Sequence, residues 1–231
     1  MCLMDDNTQQ AHTFQGQVTI SVSLRYLLYL PKEYDPQNTR RWPLLLYLHG
    51  VGERGTNLEL VKRHGPPKLI AEGQDFPFIV VSPQCAMFEG WVTKVHALGL
   101  LLDEIESKYA TDPDRIYVTG NSMGGFGTWA VAIANPQRFA AIAPICGGGD
   151  PNAVCSIQRL PVWTFHGAKD TVIPIEYTEQ MVEYLKECGG NVQFTIYPDA
   201  DHDAWTRTYA NPQLYTWFLK HSRAAEHKDE R

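Results

Sequence analysis

Gly120-Asn121-Ser122-Met123-Gly124 is the stretch that decides the fold. It follows an apolar run typical of a strand, residues 115–119, and precedes an apolar run typical of a helix that extends to residue 134. A Gly-x-Ser-x-Gly pattern between a strand and a helix is typical of a nucleophile elbow, a sharp turn that exposes the serine hydroxyl at a sheet edge. Glycines leave room for such a crowded turn. The sequence therefore predicts that Ser122 is a catalytic nucleophile.

The composition is typical of one globular domain. The 231 residues are 44% hydrophobic, which is enough for a sizeable core, and the net charge is −6. We predict a single domain over residues 1–231, with a core of about 18–219 and flexible termini. The acidic balance argues against a nucleic-acid partner, because phosphate binding requires a basic surface. No run approaches the roughly 18 apolar residues of a membrane span, and nothing points to more than a monomer or small homo-oligomer.

The cysteines and the N-terminus bear on the compartment. Five cysteines occur without a C-x-x-C pair or a metal-ligand spacing, and their positions are 2, 85, 146, 155 and 188. We interpret them as thiols in a reducing compartment, while a Cys146–Cys155 bridge stays open as an alternative. The first ten residues lack the basic region and apolar core of a secretory signal, which predicts a cytoplasmic protein. If a leader had been removed, the protein would instead be secreted.

Apolar strands and amphipathic helices alternate along the chain. The predicted strands cover residues 18–30, 43–49, 78–82, 115–119, 140–145, 160–166 and 192–197. The predicted helices cover residues 94–109, 122–134, 176–188 and a last segment that starts near 204 or 211 and ends at 220. This alternation predicts an α/β protein with a mostly parallel, doubly wound sheet flanked by helices. Together with the elbow it indicates an α/β-hydrolase fold, with antiparallel edge strands at the N-terminus.

A base and an acid must activate the serine, and in this fold they follow it in the order acid, then histidine. His202 lies in a polar loop directly after the last strand, where it could reach Ser122 as the general base. Asp170 follows the preceding strand and could hold the imidazole tautomer. His166, at the end of that strand, is interpreted as structural. The rival acids are Asp199, Asp201 and Asp203. Asp201 and Asp203 are too close in sequence to His202 and are interpreted as loop-forming residues.

Two backbone amides are predicted to form an oxyanion hole. One is the amide of Met123, next to the nucleophile, and the other is that of Val51, in the glycine-rich loop after strand 43–49. His49 is interpreted as a residue that ties this loop to nearby carbonyls. Within the same loop, Glu53 and Arg54 could pair, or Arg54 could contact an anionic substrate. The predicted substrate-binding residues are Gly52, Trp91 and Ile173; for Trp91 a packing role is the alternative.

The chain resembles serine esterases of the α/β-hydrolase fold. The groups are the carboxylesterases and phospholipases, the dienelactone hydrolases, and the polyhydroxybutyrate depolymerases and feruloyl esterases, in particular the bacterial branch labelled predicted peptidases. The similarity spans residues 18–219, and the stretches that carry it are 48–55, 82–85, 118–129, 161–170 and 197–202. The resemblance implies Ser122, Asp170 and His202 as a catalytic triad, with no metal and no organic cofactor.

Three functions follow as hypotheses. The first is hydrolysis of short-chain, aryl or carbohydrate-linked carboxylic esters, small molecules that an open site without a lid insertion between residues 140 and 161 would admit. The second is a serine peptidase or amidase with the same triad, although the chain has no extra domain to bind a peptide. The third is a binding protein on the same scaffold that has lost catalysis.

Overall fold

Seven strands form one sheet in the order β1-β3-β2-β4-β5-β6-β7. The computed structural model describes residues 13–16, 19 and 21–223. The strands are β1 Arg25–Tyr29, β2 Trp42–Leu48, β3 Ile79–Gln84, β4 Thr111–Asn121, β5 Ala141–Ile145, β6 Val162–Gly167 and β7 Val192–Tyr197. Only the pairing of β1 with β3 is antiparallel, and every other pairing in the described sheet is parallel. This confirms the predicted fold class, with a single antiparallel edge strand instead of several.

Helices cover both faces of the sheet. They are α1 Gly65–Ala71, α2 Val95–Lys108, α3 Met123–Ala134, α4 Glu176–Glu187, α5 Trp205–Tyr209 and α6 Pro212–Lys220. The core on one face includes buried side chains of α2, α3 and α4, whereas α5 and α6 contribute to the core on the other. The inner strand β2 is buried along its whole length, as expected for a strand with helices on both sides.

The largest differences from the predictions concern three elements. The edge strand begins at Arg25; residues 21–24 precede it without strand pairing, and residues 17, 18 and 20 lie outside the described part. The predicted last helix is two helices, α5 and α6, because Asn211 caps a new helix at Pro212. Helix α1 was missed, since its first residues, Gly65-Pro66-Pro67, suggest a loop, although proline is well tolerated at the start of a helix. The predicted flexible C-terminus lies mostly beyond residue 223, outside the described residues.

The parallel strands place their carboxyl ends at one edge of the sheet. Strand β2 ends at Leu48, β4 at Asn121, β6 at Gly167 and β7 at Tyr197. The loops that follow these strands carry all the predicted catalytic groups and the glycine-rich loop. In open α/β sheets this edge is where ligands bind.

The cysteine pairing differs from the prediction. Cys155 forms a disulfide with Cys188, which joins the segment after β5 to the end of α4. The Cys146–Cys155 alternative is therefore wrong, and Cys146 is a buried free thiol, as is Cys85. A separation of 33 residues hid the pair from inspection of the sequence, because helix α4 has to fold back before its end meets Cys155.

Removing this disulfide should lower stability. Replacing Cys155 and Cys188 together by serine is expected to reduce the free energy of unfolding by about 3 kcal/mol, because a crosslink of this span restricts the unfolded chain. Urea unfolding of the double variant measures the loss, and replacement of the buried Cys85 by serine offers a comparison without a lost crosslink. Equal stability of wild type and double variant would contradict the expectation.

None of the helices in the described part of the chain combines the length and apolar character needed to cross a bilayer.

Candidate active site

Ser122 lies on a strained turn between β4 and α3. Its backbone has φ 55° and ψ −117°, a conformation that non-glycine residues rarely adopt. The turn packs directly onto the end of β2, since a Cβ atom on Gly124 would lie 1.8 Å from the carbonyl oxygen of Leu48. Only glycine fits at residue 124, so the motif brings the nucleophile against the glycine-rich loop that begins after Leu48.

The side chains of Ser122, His202 and Asp170 form a continuous hydrogen-bonded chain. His202 Nε2 lies 2.9 Å from Ser122 Oγ, and His202 Nδ1 lies 2.7 Å from Asp170 Oδ2. A carboxylate only accepts hydrogen bonds, so Nδ1 carries the proton and donates to Asp170. The lone pair of Nε2 then faces the serine hydroxyl, which is the arrangement that a general base requires. The imidazole side chain is 18% exposed, so a ligand could reach it, whereas the Asp170 side chain is fully buried.

The carboxylate of Asp170 is held in its charged form. Its Oδ1 accepts hydrogen bonds from the amides of Val172 and Ile173, each at 2.9 Å. Burial alone would raise the pKa of Asp170, but the hydrogen bonds from His202 and from these two amides outweigh burial and lower it. A buried carboxylate that stays ionised can stabilise an imidazolium on His202.

The loops that carry the acid and the histidine are joined by their backbones. The amide of Ala168 donates to Tyr197 O and that of Lys169 to Ala200 O, both at 2.9 Å. A Cβ atom on Gly167 would lie 2.1 Å from the carbonyl oxygen of Asp201, so the two loops touch at a position that only glycine allows. These contacts fix Asp170 and His202 relative to each other.

The two amides predicted for an oxyanion hole both begin a helix. Val51 is the first residue of a 3-10 turn, Val51–Glu53, and Met123 is the first residue of α3. The first amides of a helix have no acceptor within it, so they are available to a ligand. Because Gly124 packs on the end of β2, these two helix starts lie at the same edge of the sheet as Ser122. The oxyanion role of Val51 and Met123 stays a prediction.

Glu53 and Arg54 do not pair with each other. Arg54 donates to the carbonyls of Val51 and Glu89, which stiffens the loop. Contact of Arg54 with an anionic substrate stays a prediction. Glu53 is buried, with its carboxylate 3.6 Å from His64 Nε2.

His49 and Trp91 support the loop from below. The amide of Cys85 donates to His49 Nε2 at 2.9 Å, and the protonated Nδ1 donates to Gly50 O at 2.5 Å, in line with the predicted tying role. Trp91 is fully buried and donates from its indole nitrogen to His49 O at 2.9 Å. The prediction that Trp91 binds substrate is therefore corrected, since its ring has no exposed surface and serves packing.

Buried His49 should make the protein less stable in mild acid. Burial lowers the pKa of His49 to about 4, from 6.5 in an unfolded chain. The unfolded state then takes up a proton that the folded state does not, so stability falls as pH drops from 6.5 towards 4, by up to about 3 kcal/mol. Urea unfolding across this pH range should show that the free energy of unfolding depends less on pH in His49→Gln than in the wild type. The amide oxygen of the glutamine can still accept from the Cys85 amide. Identical pH dependence would contradict the assignment.

The remaining predicted pocket residues lie near the site without a ligand contact to test them. Gly52 is exposed on the glycine-rich loop, and Ile173 is half-buried with its amide bound to Asp170. Their substrate roles stay predictions. Sequence reasoning missed Trp205, whose ring packs edge-on against His202 at 5.0 Å between centroids. The available signal was that Trp205 follows His202 by three residues and begins helix α5.

One group of side chains in the described part of the chain brings three potential metal ligands together. Atoms of Cys146, Asp170 and His202 lie within 4.8 Å of one another. Burial raises the pKa of Cys146 to about 12, so it remains a thiol, and its sulfur faces the carbonyl oxygen of His202. A cysteine binds a metal as the thiolate, and the side chains of Asp170 and His202 already bond each other. This group therefore fits a metal poorly.

A serine, a histidine and an aspartate at the carboxyl edge of a mostly parallel sheet define an α/β-hydrolase. A profile of the dienelactone hydrolase family matches residues 87–230, more than half of the sequence. The chain belongs to the dienelactone hydrolase family, which confirms the resemblance to esterases of this fold.

Individual relatives agree with this assignment. The chain is 27% identical over 202 residues to the bifunctional acetylxylan esterase/xylanase XynS20E of Neocallimastix patriciarum, covering 82% of this chain and 27% of that protein. It is similar to a thermostable esterase of known structure, with 33% identity and a TM-score of 0.75, over 87% of this chain and 60% of the other. The fold is also that of the feruloyl esterase module from Clostridium thermocellum, with 21% identity, a TM-score of 0.63 and coverage of 82% and 80%. The chain thus spans about a quarter of the length of the bifunctional relative.

Proposed function

We propose that this protein is a serine hydrolase of carboxylic esters that acts through an acyl-enzyme. The observation that supports this most directly is the hydrogen-bonded chain from Asp170 through His202 to Ser122, with distances of 2.7 and 2.9 Å. A serine hydroxyl is a weak nucleophile until a neighbouring base accepts its proton, and His202 is in contact with it. Membership of a family of hydrolases supports the same reaction.

The reaction follows from the positions of these groups. As Ser122 Oγ attacks the acyl carbon, its proton passes to His202 Nε2, and Asp170 stabilises the imidazolium. The amides of Val51 and Met123 stabilise the oxyanion, and His202 then protonates the departing alcohol. In the second half His202 activates a water molecule, which releases the acid from Ser122. No cofactor is required for either half.

The surroundings of the triad support short acyl groups and aryl or carbohydrate-linked esters as substrates. Phe126 lies one helical turn after Ser122, and its amide donates to Ser122 O. Its ring packs edge-on against that of Tyr177, with 5.9 Å between the ring centroids. Tyr177 is 50% exposed and Val172 is 63% exposed. These apolar side chains adjoin the segments that carry Ser122 and Asp170, which supports an aryl or apolar acyl group as the bound part of the substrate. The acetylxylan esterase relative supports a carbohydrate-linked alcohol.

A panel of esters and amides tests this proposal. Wild type should hydrolyse p-nitrophenyl esters of short acids and aryl esters such as methyl ferulate, with rates that fall as the acyl chain lengthens. Peptide p-nitroanilides should be cleaved much more slowly, because an amine is a poorer leaving group. Absence of turnover on every ester would overturn the proposal, and faster cleavage of the anilides would favour the peptidase. If a fluorophosphonate also failed to label Ser122, a binding protein would be the better interpretation.

The compartment and the assembly belong to the same proposal. Disulfides persist in oxidising environments, so Cys155–Cys188 supports a secreted enzyme over the cytoplasmic location that the sequence predicts. Mass spectrometry of alkylated protein from its native source would show whether these two cysteines are paired. That the protein is a monomer or a small homo-oligomer stays a prediction. Light scattering would measure its oligomeric state.

A further inference from the structure

An indole ring packs against the imidazole of the triad. Trp205 is the first residue of α5, and its ring stands at 89° to that of His202, with 5.0 Å between the centroids. Aromatic rings prefer such an edge-to-face arrangement. The hydrogen bonds to Ser122 and Asp170 engage the two nitrogens of His202, whereas Trp205 contacts the ring as a whole.

Trp205 is itself held in place. The carboxylate of Asp203 accepts hydrogen bonds from the amide and the hydroxyl of Thr206, at 3.0 and 2.9 Å, and so fixes the start of α5. Ala204, directly before the tryptophan, is fully buried. The indole also packs against the ring of His64, with 5.6 Å between the centroids, and against the core on the side of α5 and α6. The half-buried indole is therefore a rigid surface beside His202.

The indole nitrogen does not account for the presence of a tryptophan here. Nε1 of Trp205 is buried and has no hydrogen-bond partner among the described residues. A buried donor without a partner lowers stability. What the side chain contributes is its flat ring, packed between neighbours that include His202 and His64. A phenylalanine would supply a flat ring without the unpaired N–H group.

The imidazole loses one of its two supports during the proposed reaction. Once Oγ of Ser122 carries an acyl group, it has no proton to donate to Nε2 of His202. The bond from Nδ1 to Asp170 then holds the ring at one point. The torsion about the Cβ–Cγ bond of histidine is broad, so rotamer preference alone does not fix the plane of the ring.

We propose that Trp205 is a positioning residue for His202, and that it acts mainly while Ser122 carries the acyl group. The indole limits rotation of the imidazole at this stage, so that Nε2 stays directed at the water molecule that attacks the ester. The water loses its proton to Nε2, its oxygen bonds to the acyl carbon, and the bond from that carbon to Oγ breaks. This inference rests on the proposed function, since it concerns the second half of that reaction.

Other groups near the triad contact different parts of it. Nε2 of His166 lies 3.1 Å from Oδ2 of Asp170, so this buried ring borders the acid. The thiol of Cys146 donates to the carbonyl oxygen of His202 at 3.4 Å, which is a contact with the backbone. These contacts concern the acid and the loop, whereas that of Trp205 concerns the plane of the imidazole.

Two substitutions separate the flat ring from the rest of the side chain. Trp205→Leu keeps an apolar side chain without a planar ring, and kcat for a p-nitrophenyl ester should fall about 10- to 100-fold, because a small displacement of a catalytic group can cost about 100-fold. The value of kcat/KM, which reports acylation, should fall less than about fivefold. Acyl-enzyme on Ser122 should therefore accumulate, visible as a burst of p-nitrophenol and by mass spectrometry. Trp205→Phe should keep both constants within about threefold of the wild type.

A second tryptophan provides a matched control. Trp217, on α6, is also half-buried and packs edge-on against His221, with 4.8 Å between the centroids. His221 is not part of the triad, so Trp217→Leu should lose packing but keep the wild-type kcat. Titration of Ser122 with a fluorophosphonate counts the folded active sites in each preparation. Partial unfolding of a variant then does not lower its measured kcat.

The outcomes distinguish this inference from the proposed function. If the wild type hydrolyses esters and Trp205→Leu keeps its kcat without accumulating acyl-enzyme, the inference alone is wrong. It is also wrong if Trp205→Phe is as slow as Trp205→Leu, or if kcat/KM falls while kcat is kept, since Trp205 would then bind substrate. Should Trp205→Leu not fold, Trp205→Met takes its place, because the flexible thioether fills irregular gaps without a planar ring. A wild type without turnover on any ester would overturn the proposed function, and this inference with it.

Discussion

Replacing Ser122 with alanine is expected to lower kcat for ester hydrolysis by roughly 10⁵- to 10⁶-fold, the loss typical of removing a nucleophile that acts as a unit with its base. The hydroxyl is the atom that His202 contacts at 2.9 Å, and no neighbouring hydroxyl shares that position in the described structure. The fold should survive, because the side chain is small and its amide still donates to Ile145 O. Steady-state kinetics on a short p-nitrophenyl ester measures the effect.

The matched control is Ser107→Ala, on the exposed surface of α2, where the hydroxyl bonds only the preceding turn. That variant should keep the wild-type rate. A double variant, Ser122→Ala with His202→Ala, should lose no more than either single variant, because the two side chains perform one proton transfer. Additive losses would show that the two side chains act independently, and substantial activity in Ser122→Ala would show that hydrolysis occurs elsewhere.

Replacing Asp170 with asparagine is the second large effect, with an expected fall in kcat of about 10⁴-fold. The structure dictates how the new amide orients, since Oδ1 receives the amides of Val172 and Ile173 and must remain an oxygen. The NH2 group then faces His202 and His166. It donates to His202 Nδ1, so the proton of the imidazole moves to Nε2. Nε2 then presents an N–H to Ser122 and can no longer accept the proton of the hydroxyl.

A control for charge alone is Asp199→Asn, because Asp199 is an exposed residue of the histidine loop that pairs with Arg207. Its rate should stay near that of the wild type, since surface ion pairs contribute little. Measured kcat values for both variants at one pH, with thermal unfolding as a check on the fold, complete the test. Equal, small losses in the two variants would show that Asp170 has no special role.

The predictable part of the molecule is the part with local signals. The apolar runs of β2 and β3, the elbow around Ser122 and the loop positions of Asp170 and His202 follow from neighbouring residues and the order of parallel strands. The Cys155–Cys188 pairing could not be predicted, because it depends on where α4 ends in space. The two roles predicted for Trp91, substrate binding and packing, could not be separated for the same reason, because its burial against His49 depends on packing across the sheet.

The contacts of His166 were hidden for a different reason. A histidine four residues before an aspartate is compatible with many loop conformations, and only the turn from Gly167 to Asp170 brings the two side chains to 3.1 Å. Helix α1 escaped prediction because two prolines at its start resemble a loop. In each case a local pattern allowed several structures, and distant parts of the chain selected one.

The close backbone contact between Gly167 and Asp201 limits how this protein could be redesigned. Because the strands carry one turn each and the turns interlock through Ala168–Tyr197 and Lys169–Ala200, neither segment is an independent module. Grafting residues 198–204 from another hydrolase would introduce a histidine without the backbone contacts that position it. Chimeras should therefore exchange residues 167–170 and 197–204 as one cassette, and libraries aimed at new specificity should leave both untouched.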